Sequence, residues 1–153
     1  MRGYSVIALD HPQKCVNVGG VLRAAGNYDA GCVVLGSARC SVREPGDTMN
    51  VYRNKPVLRV DDVFDALPFD CVPIAVDLLP GARKLHEYTH PERAFYIFGP
   101  ENGTLGERIT DRCRDSIYVP TKGCMNLAAT VNVILYDRAV KRGEWPQTME
   151  NVR

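Results

Sequence analysis

Three short segments combine glycines with isolated polar residues whose chemistry suits work on an oxygen or a phosphate. Their sequences are NVGGVLRAA at residues 17–25, FGPENGTLG at 98–106 and VPTKGCMNLAATVNVILYD at 119–137. The first carries the guanidinium of Arg23, the second the carboxylate of Glu101 and the third the amide of Asn126. Because a guanidinium stays protonated in proteins, Arg23 is suited to stabilise a developing oxyanion rather than to accept a proton.

The first segment follows a predicted strand and opens a predicted helix. Asn17 can act as the N-cap of that helix, and Gly19 and Gly20 let another backbone or a phosphate approach its N-terminus. Arg23 then projects from the first or second turn. A surface arginine without a role is the alternative interpretation.

The second segment has the pattern of a strand, a tight turn and a helix start. Gly99 and Pro100 form the turn, and Glu101 takes a position where the dipole of the following helix favours a carboxylate. A capping role alone is the alternative for Glu101. Neither glycine-rich segment has the GxGxxG spacing of a dinucleotide fold, which makes that fold a weak candidate.

The third segment enters the last predicted helix through a loop. Val119 and Pro120 end a strand, and the loop that follows can surround an adenosine with backbone groups. Cys124 lies in this loop, but no histidine is close in sequence to activate it. We therefore expect Cys124 to line a pocket rather than to act as a nucleophile.

Taken together and in this order, the three segments resemble the signature motifs of the SpoU-type (TrmH-like) branch of the SPOUT RNA methyltransferases, over residues 5–142. The first matches N-x-G-x-x-x-R-x-A from Asn17, and the second keeps F-G-x-E. The third keeps Asn126 of a Ser-Leu/Met-Asn triplet, but Cys124 replaces the serine. Thr104 stands where the family has a glycine after Glu101.

The resemblance implies transfer of a methyl group from S-adenosylmethionine (SAM) to a ribose 2′-hydroxyl, with S-adenosylhomocysteine as the product. It implies catalytic roles for Arg23, Asn17, Glu101 and Asn126. It also implies a cofactor pocket that includes Val76, Gly99, Val119, Cys124, Met125 and Leu127. No metal is expected in this chemistry.

The substrate and the assembly are likewise implied by the resemblance. The chain is closest to the minimal TrmL-like members, so we expect a tRNA substrate, with the wobble nucleotide of the anticodon loop favoured over ribosomal RNA. A homodimer is expected. The replaced serine and the shifted glycine leave open a protein that binds SAM or RNA without turnover, and a nucleotide-binding α/β domain is a third possibility.

Short apolar runs rich in β-branched and aromatic residues alternate with helical patterns. The runs predict buried parallel strands at residues 5–9, 32–35, 72–76, 94–98 and 117–119. Helices are predicted at 18–29, 61–67, 104–113 and 125–142. This alternation predicts one α/β domain, residues 1–153, with helices on both faces of the sheet. The resemblance adds a C-terminal trefoil knot.

The last predicted helix has the clearest periodicity. Apolar residues recur at steps of three and four, which predicts a buried face. They are Met125, Ala129, Val133, Tyr136 and Val140. Asn126 and Asn132 interrupt the apolar pattern, and a buried amide needs partners, which a ligand or a second subunit can supply.

Composition narrows the class of protein. The 153 residues are 45% apolar and 24% charged with a net charge of +1, as in an ordinary soluble domain, and the length leaves no room for a separate RNA-binding module. The acidic turn early in the N-terminus argues against a secretory signal, so we expect cytoplasmic residence. The six scattered cysteines lack metal-ligand spacing, so we expect reduced, mostly buried thiols.

Positive charge is concentrated in one segment. Five basic residues against two acidic ones lie between positions 36 and 60, whereas residues 60–80 hold five aspartates and no lysine or arginine. A mixed solvated surface is the simplest explanation of such a segment. Joined to the motifs, it predicts RNA contacts at Arg39, Arg43, Arg53 and Lys55.

Overall fold

Seven parallel strands form the sheet of the computed structural model, which describes residues 3–145. In chain order they are β1 (Tyr4–Asp10), β2 (Cys32–Gly36), β3 (Val57–Val60), β4 (Val72–Val76), β5 (Arg83–Lys84), β6 (Arg93–Phe98) and β7 (Asp115–Tyr118). Their spatial order is β3-β2-β1-β6-β4-β7-β5, and each neighbouring pair is parallel. The predicted mostly parallel sheet is therefore confirmed, while the knot stays a prediction.

The five predicted strands correspond to β1, β2, β4, β6 and β7. The two strands that the sequence did not predict are the edges of the sheet. Leu58 and Arg59 of β3 are exposed, and so are both residues of β5. Edge strands of two to four residues carry too little apolar pattern to be recognised from sequence alone.

Within the described residues, three α-helices accompany the sheet: α1 (Cys15–Asn27), α2 (Glu107–Thr110) and α3 (Leu127–Arg142). The predicted helix at 61–67 is a 3₁₀ turn, Val63–Ala66, whose N-cap Asp62 accepts a hydrogen bond from the Phe64 amide. The predicted helix at 104–113 shrinks to the single turn of α2. Further 3₁₀ turns span Val51–Arg53 and Leu85–Glu87.

The start of α1 corrects one prediction. The helix begins at Cys15 and its N-cap is Lys14, so Asn17 lies inside the first turn and is not the N-cap. Its side chain is turned inward, and the residue is only 6% exposed. The N-cap prediction failed because the helix begins before Asn17, and the backbone amides that precede it donate to a carboxylate from a distant part of the chain.

The core has two parts, one on each face of the sheet. Along β1, Ile7 and Leu9 pack towards α1 and α3, whereas Val6 and Ala8 pack towards α2 and the Val63–Ala66 turn. All four side chains are buried, as in a parallel sheet covered on both sides. The functional loops must therefore lie at the strand ends.

Helix α3 forms as predicted, but its buried face was predicted wrongly. Tyr136 and Val140 of the predicted stripe are 54% and 47% exposed. The side chains that face the core are Leu127, Val131, Ile134, Leu135 and Ala139. Two apolar stripes run side by side on this helix, and contact with α1, where a Cβ at Gly20 would lie 2.8 Å from Ala128 Cβ, selects the second.

The amide of Asn132 is satisfied within α3. Its Nδ2 donates to the Ala128 carbonyl oxygen over 2.8 Å. A ligand or a partner subunit is therefore not needed to satisfy this donor.

The cysteines correct a further prediction. Cys15 and Cys40 are joined in a disulfide, so the expectation of reduced thiols is wrong for this pair. The bond connects the first residue of α1 to the β2–β3 loop (residues 37–56). Cys32 and Cys71 are buried free thiols, as expected, whereas Cys124 is exposed. The spacing of the cysteines gave no sign of this pairing.

Between residues 3 and 145, no helix is both long enough and apolar enough to cross a membrane.

Candidate active site

A cavity of about 960 Å³ opens at the carboxyl ends of β4, β6 and β7. In parallel sheets this edge is where ligands bind, because the loops that follow the strands meet there. Each of these three strands contributes the loop that follows it. The six residues predicted to hold a cofactor all line the cavity: Val76, Gly99, Val119, Cys124, Met125 and Leu127.

Polar residues from all three motifs join in one hydrogen-bonded chain on the cavity wall. Asn17 Nδ2 donates to Glu101 Oε1 over 2.8 Å, and Asn126 Nδ2 donates to Asn17 Oδ1 over 3.0 Å. All three residues line the cavity. Segments separated by 84 and 109 positions in sequence thus meet through three side chains.

Asn126 has a second task at the start of α3. Its Oδ1 accepts hydrogen bonds from the backbone amides of Ala128 (2.9 Å) and Ala129 (3.2 Å), which makes it the N-cap. The cap determines which end of the amide faces Asn17, because the oxygen is turned to the helix and the nitrogen to Asn17. A ligand or a second subunit was the predicted partner for this amide, but another motif residue and the start of α3 fill that role within the chain.

Glu101 caps a helix, but a different one from the helix predicted. Its carboxylate accepts hydrogen bonds from the Gln13 amide (2.8 Å) and the Lys14 amide (3.1 Å), which precede α1. The helix that follows Glu101 begins only at Glu107. The carboxylate therefore lies at the positive end of the α1 dipole and connects the second motif to the first.

The hydrogen bonds to Glu101 also control its ionisation. Burial raises the pKa of Glu101, but the donors of Asn17, Gln13 and Lys14 outweigh burial and hold this pKa below its usual value. The residue is therefore a carboxylate at neutral pH and accepts hydrogen bonds through both oxygens.

Arg23 is the predicted catalytic residue that lies apart from the others. It is exposed on α1 and is not among the residues that line the cavity. The neighbouring face of α1 is covered by the β2–β3 loop, because a Cβ at Gly19 would lie 2.9 Å from the Asp47 backbone nitrogen. The predicted close approach of a backbone at Gly19 is thus confirmed, and it leaves Arg23 at the border of that contact.

Several cavity residues were missed by the sequence reasoning, and Asp77 is the most informative. Its Oδ1 accepts from the Leu78 amide and its Oδ2 from the Leu105 amide, each over 2.8 Å. The carboxylate thereby connects the loop after β4 to the far end of the second motif. Its signal was available, because a polar residue directly after a buried parallel strand lies at the ligand-binding edge. Others are Lys14, Leu78, Tyr118, Lys122 and Thr130.

The two departures from the motif pattern differ in their placement. Cys124 lines the cavity, and none of the lining residues is a histidine. Gly103 lines the cavity and Thr104 does not. No group of three or more possible metal ligands occurs between residues 3 and 145.

The predicted RNA-binding residues lie on the β2–β3 loop and do not line the cavity. Lys55 forms an ion pair with Asp29. Arg39 is exposed, and Arg43 and Arg53 both contact the ring of Tyr52. The loop therefore offers three arginines at the surface and one lysine already engaged.

The sequence pattern of the SpoU rRNA methylase family matches residues 4–136. The chain belongs to this family. The match confirms the family predicted from the motifs. No curated protein matches the sequence.

Solved structures of the same fold agree with this assignment. AviRb from Streptomyces viridochromogenes, a SpoU methyltransferase in complex with AdoMet, superposes with a TM-score of 0.80 at 18% identity. The match covers 93% of this chain and 62% of AviRb. The TrmH/SpoU tRNA-modifying enzyme of A. aeolicus gives 0.81 at 17% identity over 94% and 77%. This chain therefore spans about three fifths of AviRb.

A third structure matches over nearly equal lengths. It concerns the 2-OH methylation of C/U34 on tRNA, and it superposes with a TM-score of 0.77 at 22% identity over 92% of both chains. At such identities the likeness establishes the fold.

Proposed function

We propose that this chain is a SAM-dependent RNA 2′-O-ribose methyltransferase that acts in the cytoplasm. The observation that carries the proposal is the chain of hydrogen bonds from Glu101 through Asn17 to Asn126 on the cavity wall. It joins the three motif segments at one ligand-sized cavity. A protein that binds SAM or RNA without turnover would not need these three motif residues to meet at one cavity.

The cavity suits SAM in size and in lining. Its volume of about 960 Å³ lies within the range of about 300–1,000 Å³ that small-molecule sites occupy. Val76, Phe98, Val119, Met125 and Leu127 offer apolar surface to the adenosine. The loop of residues 118–124 offers backbone donors and acceptors, which recognise an adenine without charged side chains.

The charged groups of the cavity suit the other half of the cofactor. SAM carries a sulfonium and an ammonium, and the carboxylates of Asp77 and Glu101 lie on the cavity wall. Lys14 and Lys122 line the same cavity and complement the carboxylate of the methionine moiety. Bound SAM supplies an activated methyl group, and the protein's residues position the groups around it.

The protein contributes positioning and electrostatic stabilisation. Asn126 and Asn17 keep the loops of the third and second motifs at a constant distance. Glu101 anchors the start of α1, the helix that carries Arg23. The Arg23 guanidinium lowers the pKa of the 2′-hydroxyl and stabilises the alkoxide, while a substrate phosphate or water accepts the proton.

Arg23 needs a second subunit to reach a reacting ribose. It is exposed on α1 and does not line the cavity of its own chain. Val16 of α1 is 65% exposed, and Tyr136, Val140 and Trp145 form a further exposed apolar group at α3. We propose a homodimer that covers these residues and brings Arg23 to the partner's cavity.

A tRNA substrate, with the wobble nucleotide of the anticodon loop favoured, is the finer part of the proposal. The matched chain length of the structure concerned with C/U34 on tRNA supports it. Arg39, Arg43 and Arg53 of the β2–β3 loop provide the RNA contacts that a chain of net charge +1 cannot provide globally. Ribosomal RNA is the second candidate, favoured by the name of the family.

Methyl transfer from labelled SAM to bulk tRNA and to ribosomal RNA, followed by nucleoside mapping, tests the proposal. We expect a 2′-O-methylated nucleoside from tRNA. Label in ribosomal RNA alone would select the second candidate, and label in neither RNA would refute the enzyme. Titration of SAM should show one site per chain, and no binding at millimolar SAM would refute the cofactor assignment.

Light scattering at micromolar concentration tests the dimer. The chain mass is 17.0 kDa, so the proposal requires about twice this value. A particle of the mass of one chain would refute both the dimer and the transfer of Arg23 between subunits.

A further inference from the structure

Two arginines of the β2–β3 loop share one aromatic ring. The Cζ atoms of Arg43 and Arg53 lie 5.9 and 5.7 Å from the centre of the Tyr52 ring. Arg53 Nε also donates to the Tyr52 hydroxyl over 3.2 Å. Contact with an aromatic face restricts a guanidinium without removing its charge, so one ring restricts two positively charged groups.

These two charges are free for a ligand. Among residues 3–145, no carboxylate lies within 4.0 Å of either guanidinium, whereas Arg108 and Arg112 are ion-paired with Asp10 and Asp62. Of the three other basic side chains between residues 36 and 60, Arg39 is exposed and the other two are occupied. Lys55 is paired with Asp29, and Arg59 donates to the carbonyl oxygens of Ala38 and Cys40.

Asp47 is the acidic residue of the β2–β3 loop that is closest to Tyr52 in sequence, and it is buried. It is 4% exposed, and its Oδ2 accepts from the Tyr52 amide over 3.2 Å. The aspartate thus holds the backbone that carries the ring without neutralising the arginines in front of it. This arrangement is suited to an external anion.

The loop is attached to α1 at three places along the helix. The disulfide joins Cys40 to Cys15. A Cβ at Gly19 would lie 2.9 Å from the Gly46 Cα, and one at Gly26 would lie 2.6 Å from Val51 Cγ2. Arg23 lies four residues after Gly19 and three before Gly26, which places all three on one side of the helix. Arg23 therefore borders the same loop.

We propose that Arg43, Tyr52 and Arg53 form a clamp for the phosphates of single-stranded RNA beside the target ribose. This inference rests on the proposed function and adds the position of the RNA strand. Guanidinium groups match phosphate oxygens with two parallel hydrogen bonds, and the tyrosine ring packs against a sugar or base. RNA that follows the clamp then meets Arg23 at the reacting nucleotide.

RNA binding at increasing salt concentration tests the clamp. The probe is a fluorescently labelled anticodon stem-loop RNA, measured by anisotropy with the full chain. Arg43→Gln and Arg53→Gln should each raise the RNA Kd about tenfold. Each should also lower the slope of log K against log salt by about 0.7, the value for one lost phosphate contact with single strands. The Kd for SAM should stay the same.

Tyrosine variants separate the ring from its hydroxyl. Tyr52→Phe keeps the ring, so RNA binding should change less than twofold. Tyr52→Leu removes the aromatic face that holds both guanidinium groups, so the RNA Kd should rise in that variant. Thermal unfolding of each variant shows whether the loop still folds.

Arg114→Gln is the charge-matched control. Arg114 is exposed directly before β7, at the end of the sheet opposite the cavity, and its removal should leave the salt slope unchanged. Equal slopes for wild type, Arg43→Gln and Arg53→Gln would overturn the clamp. The clamp would also be overturned if the wild type failed to bind RNA. Polyglutamate serves as a second polyanion, and arginine-dependent binding to it that is tighter than the binding to RNA would overturn the clamp as well.

The clamp and the enzyme can fail separately. Methyl transfer to RNA with an unchanged RNA KM in both arginine variants would refute the clamp and keep the enzyme. RNA binding that depends on both arginines, in a protein that transfers no methyl group to any RNA, would refute the enzyme and keep the clamp.

Discussion

The two regions that carry the proposed chemistry are built in opposite ways. At the cavity, Glu101, Asn17 and Asn126 satisfy one another and the ends of two helices. On the β2–β3 loop, Arg43 and Arg53 face solvent beside Tyr52, and no carboxylate of residues 3–145 pairs with either one. The contrast teaches that a site for a small cofactor can be completed within one chain, whereas a site for a polyanion keeps its charges unpaired until the ligand arrives.

Arg23 lies on α1 outside the cavity, and its removal should have the largest effect. Arg23→Ala should lower methyl-transfer turnover by about 10²-fold or more, because it removes a transition-state donor. SAM affinity should change little, since Arg23 is proposed to act on the ribose hydroxyl of the RNA rather than on the cofactor. Arg23→Lys should restore turnover only in part, because an ammonium lacks the planar fork. Turnover close to wild type in Arg23→Ala would sink the assignment.

Removal of the disulfide tests whether the β2–β3 loop depends on its covalent attachment to α1. Cys40→Ser should lower the free energy of unfolding by about 3 kcal/mol, since the bond closes a loop between positions 25 apart. Chemical denaturation of wild type and variant measures this difference. Cys32→Ser, at a buried free thiol, is the control for loss of a cysteine.

Thiol titration sharpens the same point. Cytoplasmic thiols are normally kept reduced, so a disulfide is not expected at the proposed cytoplasmic location. Titration of the unfolded, unreduced protein should find four thiols, those of Cys32, Cys71, Cys113 and Cys124. Six reactive thiols would show that the pair is reduced, and the loop would then be held by packing alone.

Glu101 connects the cavity to α1, and its replacement by glutamine should have a moderate effect on the free energy of unfolding. Glu101→Gln keeps one acceptor oxygen and loses the other, so one of the donors from Gln13, Lys14 and Asn17 is left without a partner. We expect a loss of about 1–2 kcal/mol in the free energy of unfolding at pH 7. Glu107→Gln, on the exposed start of α2, is the matched control.

The pH dependence of that loss should be the smallest effect. The pKa of Glu101 is lower in the folded chain than its ordinary value, so its stabilisation is present above that ordinary value and is lost as pH falls through the folded pKa. The stability difference between wild type and Glu101→Gln should therefore be constant near neutrality. It should shrink below about pH 4. A difference that does not depend on pH would show that the carboxylate charge is irrelevant.

The six predicted cofactor residues, all of which line the cavity, follow from the resemblance of the motifs to a known family. The five central strands and helix α3 follow from apolar runs and from helical periodicity. These features are local, because four or five consecutive apolar residues are enough to recognise a buried parallel strand. Ligands bind at the carboxyl ends of such strands.

The errors concern contacts between distant segments. Asn17 is not a cap because Glu101, 84 positions away, accepts the hydrogen bonds at the start of α1. The buried stripe of α3 was misjudged because two stripes have the same period, and only packing against α1 distinguishes them. Cysteine spacing says nothing about which thiols meet.

The sequence by itself determined the kind of chemistry available and the ends of the strands at which it would lie. The guanidinium, the carboxylate and the amides are properties of residue types, and strand ends are properties of neighbouring residues. Only the tertiary structure decided that Glu101, Asn17 and Asn126 share one wall while Arg23 points elsewhere. The reason is that hydrogen bonds and helix packing act through distances in space, which the folded chain alone defines.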